Sequence, residues 1–388
     1  MFKKVIVGIS GGVDSAVAAL LLKSKGMNVT GVFMRNWDVV NEAGECQVEQ
    51  ELQDAKWVCN NLKIPLIDVN FVKDYWIDVF SNLVESYEIG KTPNPDILCN
   101  RKIKFNKFFQ YACNELGADA IATGHYAHSS FGPFLEYYQP NKNVALLRAK
   151  DFYKDQTFFL SQISQEALRR TMFPIGAFLK SDVKKIAKEA GLDVVLNKKE
   201  SAGICFIGRR NFKEFIREYV EDKPGNFIDF ETGTCIGRHK GIHQWTLGQG
   251  CRIGGTLMPY YIYQKDLENN NIYVVAGNNH PALFSEFFST AEVHWINKEP
   301  EQLKNSKSVF NCNFRFQHRR PLVPCTVFKT IENKLFIHVE EPQRAVTAGQ
   351  YAVLYCGQEC LGSAEILNTG PSFYFIGKDA KEYVQIDI

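Results

Sequence analysis

The chain has 388 residues, 45% of them hydrophobic and 23% charged, and a formal net charge of +2 at pH 7. A chain of this size and composition can bury two or three cores, which excludes disorder as its overall state. No apolar run reaches the roughly 18 residues that span a bilayer, and the first apolar run starts too early to follow a signal peptide. The eleven cysteines are scattered without any C-x-x-C pair, so we expect no disulfide scaffold, zinc ribbon or iron-sulfur cluster.

Short apolar runs alternate with longer helix-period segments in the first half of the chain. The clearest predicted strands are Val5–Ile9, Val29–Met34, Pro65–Val69 and Ala120–Thr123. Between them, apolar residues at spacings of three and four predict helices over Asp14–Lys25, Glu49–Leu62, Tyr75–Tyr87 and Ile103–Leu116. This alternation predicts an α/β fold with a doubly wound, mostly parallel sheet.

Beyond about residue 224 the sequence consists of glycine-punctuated, β-branched and aromatic segments. Strands predicted at Thr326–Thr330, Lys334–Val339, Gln350–Tyr355 and Leu361–Ile366 indicate a small β-barrel. We therefore predict three domains: a catalytic domain (1–208), a small central domain (209–284) and a C-terminal β-barrel (285–388). The basic clusters Arg209–Lys213 and Arg315–Arg320 are candidate RNA contacts, although each also fits a solvated charged face.

The strongest local motif is Ser10-Gly11-Gly12-Val13-Asp14-Ser15, between the first predicted strand and the first helix. Two glycines let the backbone approach a phosphate, and successive N–H groups with the helix N-terminus supply positive potential. The lysine of a Walker loop and the glycine spacing of a dinucleotide loop are both absent. A glycine-rich turn without function is the alternative interpretation. The motif resembles the pyrophosphate loop of ATP pyrophosphatases, which split ATP between its α and β phosphates.

Two cysteines stand in segments that suit sulfur chemistry. Asn94 is a candidate N-cap, with Pro95 at the first position of the helix. Asp96 and Cys99 then share one face near the positive end of the helix dipole, where the pKa of a thiol falls. Cys205 stands in a glycine-bounded apolar stretch typical of a mobile loop or short strand. One thiol can carry sulfur as a persulfide and the other can release it by exchange, although an ordinary buried thiol beside a capping acid is the alternative for Cys99.

Several motifs together resemble the tRNA-specific 2-thiouridylases in order and spacing. They are the loop, Thr92–Asn100, Ala122–Tyr126, Lys154–Gln156 and Cys205–Gly208, while Met34–Asp38 and Tyr75–Phe80 are similar to the eukaryotic mitochondrial branch. The resemblance implies that ATP adenylates the wobble uridine of tRNAs for Lys, Glu and Gln, whose 2-oxo oxygen is replaced by sulfur. It also implies a persulfide donor from a cysteine desulfurase pathway, a monomer, and a mitochondrial location. Because no transit peptide is visible, a cytoplasmic location remains the alternative.

The resemblance also implies a role for each matching residue. Cys99 would be the nucleophile, Cys205 the persulfide carrier and Asp96 the acid or base. The expected ATP-binding residues are Gly8, Ile9, Ser10, Gly11, Gly12, Val13, Asp14, Ser15, Met34 and Gly124, with Asp14 as a ligand of Mg²⁺. The target base would contact Asn94, Pro95 and Asp96, and tRNA would contact His125, Lys154, Asp155, Gln156, Arg315, Phe316 and Gln350.

Two other functions fit parts of the sequence. A pyrophosphate-loop synthetase that forms a C–N bond would need a source of ammonia, and the chain has no N-terminal catalytic cysteine or glutaminase signature. A nucleotide-sensing RNA-binding module could have kept the loop and lost the chemistry. The presence of Asp96, Cys99 and Cys205 argues against that module.

Overall fold

The computed structural model describes residues 2–38, 47–198, 211–256, 258–305 and 308–378. The strands are β1 (Lys4–Gly8), β2 (Asn28–Arg35), β3 (Leu66–Asn70), β4 (Ala120–Ala122), β5 (His128–Ser129), β6 (Leu146–Leu147), β7 (Thr171–Met172), β8 (Gly225–Asp229), β9 (Cys235–His239), β10 (Gly250–Cys251), β11 (Tyr260–Asp266), β12 (Asn271–Ala276), β13 (Phe284–Glu292), β14 (His294–Trp295), β15 (Val309–Arg315), β16 (Val323–Lys329), β17 (Lys334–Arg344), β18 (Tyr351–Cys356) and β19 (Glu359–Thr369). The α-helices are α1 (Val13–Ser24), α2 (Gln47–Leu62), α3 (Val72–Tyr75), α4 (Ser81–Glu88), α5 (Pro95–Cys99), α6 (Thr157–Leu160), α7 (Gln165–Arg169), α8 (Lys180–Glu189), α9 (Asp193–Leu196) and α10 (Phe212–Arg217). None of the helices in these ranges combines the length and the hydropathy of a membrane span.

The N-terminal sheet is parallel, with strand order β3-β2-β1-β4-β7. Its central strand β1 is buried from Val5 to Gly8, as expected of a strand covered by helices on both faces. The order reverses between β1 and β4, and ligands of such sheets bind beyond the carboxyl ends of the strands at this point. The four strands predicted from the sequence are confirmed, and the predicted α/β class with them.

Two predicted helices are less regular than the pattern suggested. The segment predicted at Tyr75–Tyr87 consists of α3, a π-helical stretch (Trp76–Phe80) and α4. The segment predicted at Ile103–Leu116 begins earlier, with α5, and continues through π-helical stretches at Asn100–Phe108 and Tyr111–Glu115. Side-chain periodicity indicates a helix but does not distinguish α from π hydrogen bonding, and π-helical turns often occur at functional sites.

The middle of the chain forms a second sheet, with strand order β10-β11-β12-β8-β9. The pair β8 and β12 is parallel, and the other neighbours are antiparallel. Its small core contains Phe227, Ile262 and Val274. Helix α10 precedes this sheet along the chain. It begins after Asn211 because the side chain of Asn211 caps it by accepting a hydrogen bond from the backbone N–H of Lys213.

The C-terminal strands close into a six-stranded barrel, in the order β13-β17-β16-β15-β18-β19, with β19 pairing back onto β13. The strands predicted at Thr326–Thr330 and Lys334–Val339 are β16 and β17, and the turn between them contains Asn333 in a left-handed conformation (φ +60°). Phe288, Phe314 and Ile337 fill the interior. The barrel predicted from the sequence is confirmed.

The barrel and the N-terminal domain share a sheet and a core. Strands β5 and β6, from the N-terminal half, extend the barrel sheet because β6 pairs with β19. Tyr351, Val353 and Tyr355 of β18 belong to the hydrophobic core that also surrounds the parallel sheet. The barrel therefore packs against the domain that carries the phosphate loop.

Candidate functional site

The loop after β1, predicted to bind phosphate, turns tightly into α1. Gly11 has φ +69°, and a Cβ atom there would lie 2.6 Å from the carbonyl oxygen of Glu51, so a glycine is required. The hydroxyl of Ser15 accepts a hydrogen bond from the N–H of Ser10 (3.2 Å) and donates one to the carbonyl of Gly12 (3.1 Å). These bonds fix the loop directly before the first turn of α1, whose N–H groups are available to an anion.

The end of β4 closes on this loop. A Cβ atom at Gly124 would lie 2.6 Å from the backbone nitrogen of Ser15 and 2.7 Å from the carbonyl carbon of Asp14. Only a glycine permits the two backbones to approach this closely. The first helical turn and the segment after β4 therefore form one surface at the point where the strand order reverses.

Replacing Gly124 with alanine is expected to weaken ATP binding and to lower the thermal midpoint, with a cost of about 1–3 kcal/mol for moving two backbones apart. Equilibrium binding of ATP and thermal unfolding measure the two effects. Gly254 has open space around its Cβ position, so Gly254→Ala is the matched control. Unchanged ATP affinity in Gly124→Ala would show that this contact does not shape the site.

Asp14 has two partners from distant parts of the chain. The ammonium of Lys180, on α8, donates to both carboxylate oxygens at 2.7 and 2.8 Å. The hydroxyl of Tyr126 donates to Oδ1 at 3.0 Å. Gln156 fixes the backbone of Tyr126 with two hydrogen bonds. The side-chain oxygen of Gln156 accepts from the backbone N–H of Tyr126 (2.9 Å), and the backbone N–H of Gln156 donates to the carbonyl of Tyr126 (2.8 Å). No sequence motif predicted a role for Lys180 or Tyr126.

The same carboxylate could serve a magnesium ion. Mg²⁺ in nucleotide sites is bound through one or two carboxylates together with phosphate oxygens and water. Asp14 fits this requirement because it lies in the first turn of α1, beside the loop that would receive the phosphates. Lys180 donates to both of its oxygens, and Tyr126 also donates to Oδ1. Within the described part of the chain Oδ2 accepts from Lys180 alone, so its second lone pair could serve the ion.

Met34 lies near the end of β2, beside the start of the loop. Its methyl carbon would be 3.2 Å from a Cβ atom at Gly8, and the ring of Phe108 would be 3.7 Å from the same atom. Phe108 belongs to the helical stretch that continues from α5. The helix that carries Cys99 therefore packs against the base of the phosphate loop.

Helix α5 begins as the sequence predicted. The side chain of Asn94 accepts a hydrogen bond from the N–H of Ile97 (3.3 Å), and Pro95 occupies the first helical position. Cys99, at its last residue, is buried with 5% of its surface exposed. Burial raises the pKa of the Asp96 carboxyl, and the nearby charge of Lys104 partly offsets that rise. A carboxyl with a raised pKa can hold a proton to donate.

Replacing Asp96 with asparagine is expected to raise the thermal midpoint at pH 7. The pKa of Asp96 in the folded protein lies above its value in the unfolded chain, so folding favours the protonated carboxyl. The stability contributed by that proton is complete below the unfolded pKa and is lost as pH rises through the folded pKa. Asparagine avoids that loss, and its advantage should vanish as pH approaches about 4. Thermal unfolding as a function of pH tests this, with the exposed Asp193→Asn as control. A lower midpoint at pH 7 for Asp96→Asn contradicts the assignment.

His125 lies directly after Gly124 and is buried. Its Nδ1 is 2.8 Å from the hydroxyl of Thr123, and its ring centroid is 5.7 Å from that of Phe105. Burial, aided by the charge of Lys104, holds the pKa of His125 well below its usual value, so the ring is neutral at pH 7. A contact with tRNA through this side chain would therefore use a neutral imidazole.

Several residues predicted to contact tRNA have partners within the protein. Asp155 is completely buried, and the guanidinium of Arg315 donates to it at 2.8 Å. Phe316 is buried in the barrel core. Gln350 donates to the carbonyl of Thr92 at 2.7 Å, two residues before the cap of α5. These contacts join the barrel to the catalytic domain, and the role of these residues in binding tRNA remains a prediction.

Lys154 and Gln156 flank Asp155 and are half-buried. Cys205 falls within 199–210, outside the described residues, so its predicted approach to Cys99 stays a prediction. The basic cluster Arg209–Lys213 is described from Asn211 onward.

A basic pocket of about 360 Å³ lies between α10 and the central sheet. Its charged lining comprises Lys213, Arg217, Arg238, Lys240 and Glu214. The ammonium of Lys213 lies 3.5 Å from the ring centroid of Trp245, which is cation–π geometry. Cations combined with a flat aromatic side chain are typical of a nucleic-acid surface.

Three family models match consecutive parts of the chain: a tRNA methyl transferase HUP domain at residues 3–209, a tRNA methyl transferase PRC-barrel domain at 213–276 and an aminomethyltransferase β-barrel domain at 285–366. Mitochondrial tRNA-specific 2-thiouridylase 1 of Drosophila melanogaster is 50% identical over 96% of this chain and 95% of its own length. The Homo sapiens protein of the same name is 47% identical over 97% and 93%. The tRNA-specific 2-thiouridylase MnmA of Alkaliphilus oremlandii is 44% identical over 94% and 96%. The chain therefore belongs to the tRNA-specific 2-thiouridylases, a family of ATP-using tRNA sulfurtransferases.

Proposed function

We propose that this protein thiolates the wobble uridine 34 of tRNAs for Lys, Glu and Gln, using ATP and a persulfide, and that it does so in mitochondria. The observation that carries the proposal is the packing of the helical segment that contains Cys99 against the ends of β1 and β4. The ring of Phe108 would lie 3.7 Å from a Cβ atom at Gly8, and the ring centroid of Phe105 lies 5.7 Å from that of His125. A nucleotide in the loop would then lie beside the acid and the thiol. The names of the relatives support the substrate and the compartment.

The first half-reaction is adenylation of the uridine. The loop N–H groups and the N-terminus of α1 bind the phosphates, and O2 of the uridine attacks the α-phosphate with departure of pyrophosphate. Magnesium bound with ATP would neutralise charge on the departing pyrophosphate. The oxygen on C2, a very poor leaving group, becomes the oxygen of a bound AMP, which leaves readily. Asp96 lies on the helix that would face the base and can donate or accept the proton.

The second half-reaction transfers sulfur. The terminal sulfur of a persulfide on Cys205 forms a bond to C2, and the C2–O bond breaks to release AMP. The Cys99 thiolate attacks the inner sulfur, so the S–S bond of the persulfide breaks and a Cys99–Cys205 disulfide forms. Two protons are released, and two equivalents of an external thiol reduce the disulfide. A cysteine desulfurase pathway then restores the persulfide.

The basic pocket between α10 and the central sheet supports binding of the tRNA backbone. Lys213, Arg238 and Lys240 bring positive charge to one concave surface, in a chain whose overall charge is only +2. Phosphate contacts of this kind orient a nucleic acid without reading its sequence. An unpaired loop nucleotide is also the least costly base to unstack into a pocket. We assign residues 1–208 to catalysis, 209–284 to the central domain and 285–388 to the barrel of a monomer.

The proposal is tested with the full chain, a tRNA for Lys, ATP and a chemically prepared persulfide donor. We expect pyrophosphate release that requires the tRNA, and 2-thiouridine detected by mass spectrometry. In Asp14→Ala, pyrophosphate release should fall by about 10²-fold or more, because a group that organises the phosphate site is lost. The fold of this variant is checked by circular dichroism.

Two outcomes oppose the proposal. Pyrophosphate release that requires ammonia and not tRNA would favour the C–N bond-forming synthetase. Unchanged 2-thiouridine in mitochondrial tRNA from cells that lack the protein would favour a nucleotide-sensing RNA-binding module.

A further inference from the structure

Two cysteines face each other in the C-terminal barrel. Cys312 on β15 and Cys325 on β16 are direct partners in the antiparallel register, and their Sγ atoms lie 3.6 Å apart. Both pack with the barrel core, where Cys325 is 2% exposed and Cys312 is half-buried. Direct partners on antiparallel strands have Cα atoms about 4.5 to 5.5 Å apart, a separation that a disulfide can bridge. The backbone therefore already holds these two thiols within reach of a disulfide.

A third cysteine extends this pair toward the solvent. The register of β15 and β18 pairs Phe314 with Leu354, and two residues further along the strands the same register places Cys356 opposite Cys312. Cys356 is the last residue of β18 and is exposed. The three thiols therefore form a row across β16, β15 and β18, from the buried Cys325 to the exposed Cys356.

The thiols of this row differ in their access to an oxidant. The hydrogen bond with Cys325, burial, and the neighbouring charges of Cys325 and Cys356 all raise the pKa of Cys312. The thiolate is the nucleophile in disulfide exchange, so a buried thiol with a raised pKa reacts slowly with a molecule in solution. Cys356 is open to solvent and lies beside the pair, which makes it the point of entry for an oxidant.

Packing alone explains only part of this arrangement. A cysteine can fill a core as a small hydrophobic residue, and this would account for the buried Cys325. Packing requires neither a second thiol in contact with Cys325 nor a third, exposed thiol in the same row. A row that begins at the surface and ends in a buried pair has the order that stepwise thiol exchange requires.

We propose that Cys312, Cys325 and Cys356 form a thiol–disulfide exchange site, in which Cys356 reacts with a low-molecular-weight disulfide and the Cys312–Cys325 pair retains the oxidation as a disulfide. The site is separate from the thiolation chemistry proposed for Cys99, since it needs neither ATP nor tRNA. In a reducing compartment the pair is present as two thiols, and it becomes oxidised when the ratio of disulfide to thiol in the surroundings rises.

The exchange proceeds in three steps that conserve atoms and electrons. The Cys356 thiolate attacks one sulfur of the external disulfide RSSR, forming a mixed disulfide and releasing a first RS⁻. The Cys312 thiolate attacks Sγ of Cys356, forming a Cys312–Cys356 disulfide and releasing a second RS⁻. Cys325 then attacks Sγ of Cys312, forming the Cys312–Cys325 disulfide and returning Cys356 as a thiolate. In total the pair loses two electrons and two protons, and RSSR becomes two RSH.

The link would join two strands at the base of a turn that contacts the catalytic domain. This turn, between β15 and β16, contains His318, whose Nε2 lies 2.6 Å from the carbonyl oxygen of Asp155. Arg315, at the end of β15, donates to the carboxylate of the same Asp155 at 2.8 Å. Oxidation would therefore restrain the hairpin that connects the barrel to the catalytic domain.

The test equilibrates the full wild-type chain, without ATP or tRNA, in glutathione buffers with increasing fractions of glutathione disulfide. Free thiols are then blocked with N-ethylmaleimide, and tryptic peptides are analysed by mass spectrometry without reduction. Arg315 and Arg319 lie between Cys312 and Cys325, so trypsin separates the two cysteines unless a disulfide links them. We expect this link in most molecules in the most oxidising buffer, and its loss after reduction. Absence of the link, or cysteines joined only to glutathione, overturns the proposal.

The variant Cys356→Ser tests the point of entry. We expect the Cys312–Cys325 link to form about 10-fold more slowly in this variant, because the exposed thiol that begins the exchange is lost. Cys235 is an exposed cysteine on β9 of the central sheet, so Cys235→Ser is the matched control and should form the link at the wild-type rate. An unchanged rate in Cys356→Ser would contradict the exchange site. Because no tRNA is used, neither result depends on whether the protein thiolates uridine.

Discussion

Replacing Cys99 with serine is expected to reduce 2-thiouridine formation by roughly 10³-fold or more, while adenylation of the tRNA continues. Serine is nearly the same size, so the buried site keeps its packing, but a hydroxyl cannot resolve a persulfide by thiol exchange. Mass spectrometry of the tRNA measures thiolation, and tRNA-dependent pyrophosphate release measures adenylation. Cys205→Ser should give the same separation, because the sulfur carrier is lost.

The matched control is Cys113→Ser. Cys113 lies further along the same helical segment as Cys99, in the stretch Tyr111–Glu115, and is half-buried. We expect this variant to keep wild-type thiolation. Full thiolation by either Cys99→Ser or Cys205→Ser would refute the two-thiol mechanism.

Replacing Arg315 with alanine is expected to cost about 3 kcal/mol of stability, the lower end of the usual penalty for breaking a buried ion pair, because Asp155 would keep only the longer ion pair with Arg148, at 3.8 Å. Asp155 is completely buried and Arg315 is 4% exposed, so water cannot replace the lost guanidinium. Arg315 also donates to the hydroxyl of Tyr355 at 3.0 Å, so the same change removes a second contact.

Urea unfolding of the full chain measures this loss. The exposed neighbour Arg319→Ala should shift stability by less than about 0.5 kcal/mol. An unfolding midpoint for Arg315→Ala equal to that of the wild type would mean that the pair does not stabilise the junction. If Arg315→Ala keeps normal stability but loses tRNA affinity, Arg315 acts in RNA binding instead.

Local sequence patterns predicted the elements because the physical cause of each element is itself local. The phosphate loop requires a glycine with positive φ at Gly11, and α5 requires a cap and a proline, so both could be located from adjacent residues. The four strands of the parallel sheet were equally clear, since β1 has the continuous apolar run of a strand covered on both faces.

Contacts between distant segments could not be predicted in this way. The pairing of Lys180 with Asp14 spans 166 residues and that of Arg315 with Asp155 spans 160. Neither pair leaves a periodic or spacing signal, because charged residues on a surface and in a buried pair look alike in one sequence. The resemblance implied that Arg315 and Asp155 contact tRNA, which stays a prediction, and the structure adds that the two residues contact each other.

The extension of the barrel sheet by β6 restricts how the chain can be cut into independent pieces. One side of β19 pairs in turn with β6 at Glu359 and Cys360, with β14, and with β13. A truncated protein that starts at residue 285 would lack β6. The backbone groups of β19 at Glu359 and Cys360 would then form an open hydrogen-bonding edge. Open edges recruit strands from other molecules, so the isolated barrel would self-associate, whereas the intact chain supplies its own cover.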